Sequence, residues 1–138
     1  MNHDNLPPKR SIAGLTFAER DIGVECPKCQ MALKVAYIRS KKVAGCSRCR
    51  GILVQSFELA DLIAMLRAEH SGPDVIPPPI DQSHAEPVRG CPSCGGAFES
   101  HFYCGPGNVY IDSCIQCKMI WLDGGELLQI IEAPGNRD

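Results

Sequence analysis

Two stretches of the chain repeat the same order of apolar and polar positions. In the first, Leu33, Val35 and Tyr37 alternate with Lys34 and Ala36, the period of a half-buried strand. Arg39-Ser40-Lys41-Lys42 follows as a polar hairpin tip, and Ile52-Leu53-Val54 as a further strand. Leu59, Leu62, Ile63 and Leu66 then recur at i, i+3, i+4 and i+7, predicting a helix that starts near Gln55 or Ser56. In the second stretch, residues 97–103 and 109–112 flank Gly105-Pro106-Gly107-Asn108, a strong hairpin signal. Ile120-Trp121-Leu122 forms the next strand, and Leu127, Leu128, Ile130 and Ile131 give a helix ended by Pro134-Gly135. Asp123 is placed to cap that helix, with Glu126 reaching back to the Asp123 amide.

The likeness is a duplication. A shift of 65 lays Cys26-Pro27-Lys28-Cys29 on Cys91-Pro92-Ser93-Cys94. A shift of 68 lays Cys46 and Cys49 on Cys114 and Cys117, and Ile52, Glu58, Leu59 and Ile63 on Ile120, Glu126, Leu127 and Ile131. The chain then divides into a flexible N-terminal segment (1–23), a first unit (24–70), a linker (71–89), a second unit (90–133) and a tail (134–138). Pro73, Pro77, Pro78, Pro79 and Pro87 make the linker an expected extended, semi-rigid spacer, because proline fixes φ and removes a donor.

Nine cysteines, eleven prolines and thirteen glycines in 138 residues argue for small modules held by cross-links or metal rather than one large core. Eight of the cysteines form four Cys-x-x-Cys pairs: Cys26/Cys29, Cys46/Cys49, Cys91/Cys94 and Cys114/Cys117. Each pair sets two sulfurs on one side of a tight turn, and a hairpin brings two turns together as a tetrahedral S₄ site. The start of the chain does not read as a signal peptide, so a reducing, cytoplasmic setting is expected, where such pairs bind metal rather than form disulfides. Two structural Zn²⁺ ions are therefore predicted. Iron–sulfur ligation is the competing reading, but its motifs usually crowd three cysteines together. The fold class is a small metal-stabilised α+β protein: two tandem Cys₄ zinc ribbons, each a β-hairpin plus third strand followed by a short α-helix. A ligand substitution is expected to unfold its own ribbon.

At this point the residues resemble the bacterial zinc-ribbon family named after transcription factor IIB. The second copy carries the pattern in Cys91-Pro92-Ser93-Cys94-Gly95, Cys114-Ile115-Gln116-Cys117 and the closing run Trp121-Leu122-Asp123-Gly124-Gly125-Glu126-Leu127. Met119 stands where the family usually has glycine. The first copy keeps that glycine as Gly51 but closes with Leu53-Val54-Gln55-Ser56-Phe57-Glu58-Leu59. The resemblance implies a zinc-ribbon fold with four cysteine ligands per site, and little about task.

Net charge, −2 overall, is unevenly divided. Between Cys26 and Gln55 lie seven basic residues and no acidic one; between Cys91 and Ile131 lie Glu99, Asp112, Asp123 and Glu126 against Lys118 alone. A tetrathiolate zinc adds a negative increment to each half, leaving the first basic and the second acidic. Candidate nucleic-acid or partner contacts are Lys34, Arg39, Lys41, Lys42, Arg48, Arg50 and Trp121. Trp121 also suits packing between strand and helix, and Glu58 and Glu126 suit helix starts. Cys104 reads as a spare thiol and His101 as a surface or packing histidine. No nucleophile–base pair, phosphate loop or open metal position is visible, so no enzyme and no small-molecule substrate is expected. No apolar run is long enough to span a bilayer. The expected function is a non-catalytic adaptor with a protein partner; the alternatives are nucleic-acid binding through the first ribbon and a redox- or zinc-responsive switch.

Overall fold

The computed structural model describes residues 15–79 and 90–135. Among these residues seven strands, β1 (Leu15–Glu25), β2 (Ala32–Ile38), β3 (Lys41–Gly45), β4 (Ile52–Gln55), β5 (Glu99–Phe102), β6 (Tyr110–Ser113) and β7 (Met119–Leu122), form one sheet in the order β1-β2-β3-β4-β7-β6-β5. Helices α1 (Ser56–Glu69) and α2 (Glu126–Glu132) follow β4 and β7. The hairpins, third strands and helices thus fall where the periodicity puts them.

The two ribbons are not beads on a spacer. β4 pairs antiparallel with β7 through Ile52↔Leu122, Leu53↔Trp121, Val54↔Ile120 and Gln55↔Met119. Leu53 and Trp121 are equivalent positions of the repeat and lie opposite each other, so a local twofold axis passes between them. Linker residues 71–79 have no regular structure but fold back on the second ribbon: the Val75 amide donates to the Glu132 carbonyl at 2.7 Å and Asn108 Nδ2 to the Pro78 carbonyl at 3.1 Å. Residues 80–89 and 136–138 lie outside the described part.

Alternation along the third strands sorts the side chains into two cores. Ile52, Val54, Ile120 and Leu122 face α1 and α2 and pack with Leu59, Leu62, Ile63, Leu66, Leu127, Ile130 and Ile131. Leu53 and Trp121 face the opposite side and pack with Cys26, Cys46, Cys91 and Cys114. The helices join across the axis as well. Buried Arg67 of α1 donates from Nη1 to the Ile130 and Ala133 carbonyls at 2.7 and 3.0 Å, satisfying the C-terminal end of α2.

Three expectations need correction. Residues 15–23, read as part of a flexible segment, form most of β1, an edge strand paired to β2 with register shifts at Phe17/Asp21 and Asp21/Glu25; residues 1–14 lie outside the described part. Its period is broken by those bulges, which hides it from a pattern search. The first hairpin tip is Arg39-Ser40 alone, both left-handed (φ 52° and 77°), a two-residue turn; Lys41 and Lys42 already belong to β3. Asp123 does not cap α2 with its side chain, because its carboxylate is engaged elsewhere; Gly125 is the N-cap. Glu126 does accept the Asp123 amide, at 2.8 Å.

Candidate metal centres

One backbone motif, used four times, builds both sites. The residue after each second cysteine donates its amide to the first cysteine's carbonyl: Gln30 to Cys26, Arg50 to Cys46, Gly95 to Cys91 and Lys118 to Cys114, at 2.8–2.9 Å. Each of the four is left-handed, with φ between 60° and 76°. The first cysteine's amide in turn reaches the carbonyl one residue further on, at Met31, Gly51, Gly96 and Met119. This closed turn leaves amides aimed at sulfur: Lys28 and Cys29 N–H to Cys26 Sγ at 3.4 and 3.3 Å, Cys49 N–H to Cys46 Sγ at 3.4 Å, and Gly96 N–H to Cys94 Sγ at 3.4 Å. Such bonds favour thiolate over thiol.

The structure brings all eight predicted ligands together in two sets, Cys26/Cys29/Cys46/Cys49 and Cys91/Cys94/Cys114/Cys117, with the sulfurs of each set within 4.8 Å of one another. Sulfur pairs such as Cys26–Cys49 (3.7 Å) and Cys94–Cys114 (3.4 Å) are near the ~3.8 Å edge of a tetrahedron with ~2.3 Å Zn–S bonds. By themselves, four such close thiols resist ionising together. The Cys49 hydrogen bond draws Cys26 down to about 5, while Cys49 is pushed well above the thiol range by that same bond and by burial. In the second set the Cys117 amide lowers Cys114 to about 7, whereas burial raises Cys117 to about 12. A divalent cation relieves this conflict. The donor set, soft and complete, fits Zn²⁺.

The chain is thus a tandem zinc-ribbon protein with two structural Cys₄ sites. A family model described as Transcription factor zinc-finger matches residues 25–65 and 90–133, more than half the chain, and the chain belongs to that family. No curated protein and no solved structure matches it.

The other candidates scatter. Lys34 pairs with Asp21 at 2.9 Å and Arg39 with Glu69 at 2.9 Å. Arg50 lies over the Phe17 ring, 5.3 Å from its centroid. Lys41, Lys42 and Arg48 are exposed. Trp121, offered as a contact residue, is 1% exposed and cannot serve as one. It packs on Gly51, and its Nε1–H donates to Asp123 Oδ1 at 2.9 Å. His101 Nε2 sits 2.6 Å from Ser113 Oγ, and Cys104 is exposed. The basic tally of the first half is also reduced in the fold, since β1 brings Glu19, Asp21 and Glu25 against Arg20 alone.

Sequence reading missed what the closing run does. Asp123 also pairs with Lys28, inside the first knuckle of the other ribbon, at 3.4 Å. Beside it, a cavity of about 560 Å³ opens between linker residues 75–79 and α2 along its length, with Asp123, Glu126, Gln129 and Glu132 among its lining. Burial, then the Asp123 charge, raises the Glu126 carboxyl to about 8. The folded chain therefore keeps this proton up to about pH 8, while the unfolded chain releases it near 4.5. Stability from this group is intact at low pH and is lost as pH rises through that window. Glu126→Gln keeps the oxygen that accepts the Asp123 amide but cannot ionise. Its advantage over the parent in denaturation midpoint, with zinc in excess, is expected to grow from pH 6 to 8 and then level off. A constant difference would mean Glu126 ionises as an ordinary carboxyl.

Proposed function

We propose that the protein is a non-catalytic adaptor in which two zinc ribbons form a single platform for a protein partner. The observation supporting this reading is the cavity of about 560 Å³ beside α2, in which exposed apolar side chains meet acidic ones. One wall is apolar: Pro77, Pro78 and Pro79, with Ile76 beside them 77% exposed. The rest of the lining includes Asp123, Glu126 and Glu132, with Lys28 paired to Asp123. Apolar rings beside the Asp123 and Glu132 carboxylates, with Glu126 protonated below about pH 8, suit an extended peptide with a lysine or arginine next to a bulky apolar residue. The metals have a structural role in this reading, because four thiolates complete the zinc shell and leave no position for substrate. Thiolate ligands also favour a reducing compartment.

Titration of ¹⁵N-labelled, zinc-loaded protein with a capped peptide of alternating arginine and leucine tests the assignment. Amide shifts should concentrate at Ile76, Gly124, Gly125 and Gln129, weaken with salt, and be absent with the glutamate-for-arginine peptide. Shifts spread over the surface, or equal for both peptides, would remove the cavity as the docking site.

A second reading, nucleic-acid binding by the first ribbon, draws on Lys41, Lys42 and Arg48. These are exposed and have no ion-pair partner among the described residues, and Tyr37 lies beside Lys42 in the strand register. Salt-sensitive anisotropy with short RNA or DNA, abolished by reversing these three charges, would favour it.

A further inference from the structure

We infer that the two zinc sites form one energetic unit: the closing run of the second ribbon organises the first site, and filling either site tightens the other. Three contacts carry this, all from residues 121–124 to the first ribbon's knuckles. Lys28, between ligands Cys26 and Cys29, pairs with Asp123 at 3.4 Å. Gly124 lies so close to the Cys49 carbonyl that a Cβ there would overlap it. The Trp121 ring covers Gly51, whose carbonyl accepts the Cys46 amide at 3.0 Å. Both knuckles of the first site are therefore braced by backbone and side chains that begin four residues after Cys117.

The bracing runs both ways. The Ser56 amide, at the start of α1, donates to the Lys118 carbonyl at 2.8 Å, in the last knuckle of the second site. Cys26, Cys46, Cys91 and Cys114 also share one core with Leu53 and Trp121. A metal that orders one set of knuckles orders the surface on which the other set rests. Such coupling is reciprocal by thermodynamic necessity. The inference rests on the zinc sites alone and stands apart from the adaptor reading.

Native mass spectrometry of the full chain, equilibrated with one molar equivalent of zinc in a chelator buffer, reads the coupling directly. Metal-free and two-zinc chains should dominate, with the one-zinc form well below the roughly half expected of independent sites. A one-zinc form at half or more would overturn the inference. Gly124→Ala, which keeps all eight ligands, should raise the one-zinc fraction and weaken the first site about tenfold in chelator competition. Asp123→Asn makes a milder version of the same change at a partly exposed side chain and should shift the distribution the same way. If neither variant alters the distribution, the closing run is not the route.

Discussion

Removing both metals with a strong chelator is expected to unfold the whole chain in one transition. Each structural zinc contributes roughly 10–16 kcal/mol of apparent binding free energy, as much as or more than the ~5–15 kcal/mol by which most domains are stable. The first cysteines of the four pairs, Cys26, Cys46, Cys91 and Cys114, account for four of the nine buried members of the core that holds Leu53 and Trp121. When their turns open, that core loses its outer wall on both sides of the β4–β7 seam. Leu53 and Trp121 form the centre of the seam, so neither ribbon retains a complete sheet face. Trp121, the only tryptophan, reports the seam by fluorescence, while far-UV circular dichroism reports the strands and helices. The two signals and zinc release should coincide. Cys46→Ser should behave similarly and reach beyond its own ribbon, contrary to the sequence expectation that each ribbon unfolds alone. Two well-separated transitions would show that the halves are independent.

The eight ligands, the hairpins, the third strands and the helices were legible because each leaves a local mark: Cys-x-x-Cys spacing, period-2 runs, or a 3.6-residue stripe. The relation between the repeats left no such mark. Ile52-Leu53-Val54 and Ile120-Trp121-Leu122 are apolar on both faces, which is what a strand covered on both sides requires. What covers the second face is set by pairing across a separation of about 70 residues, and no local pattern encodes that. The proline-rich linker reads as an extended spacer that leaves the packing of the two copies open, and its first part is pinned to Glu132 and Asn108. Charge misled for a related reason. Lys34 and Arg39 count as free cations along the chain, while Asp21 and Glu69 meet them only in the fold. Trp121 was ambiguous because tryptophan serves equally as a stacking surface and as a core side chain.

The same seam places residues that differ between the two copies in contact. A Cβ at Gly51 would overlap the Trp121 ring, and Trp121, 1% exposed, has no solvent to yield into. Across the local axis the equivalents of this pair are Met119 and Leu53, and Met119 packs against the core containing Leu53. One side thus combines glycine with the largest side chain, the other methionine with a medium one. Gly51→Met alone is expected to cost at least the ~1–3 kcal/mol of an overpacked core, and Trp121→Leu alone ~2–4 kcal/mol for the volume lost. Combined, the two changes recreate on this side the pairing already present on the other. The double variant should be less destabilised than Gly51→Met alone, a coupling that denaturant midpoints of zinc-loaded proteins would reveal. Simple additivity of the two losses would mean that Gly51 answers to its own backbone and not to Trp121. Recovery would show that Met119 is tolerated because the first copy has leucine where the second has tryptophan.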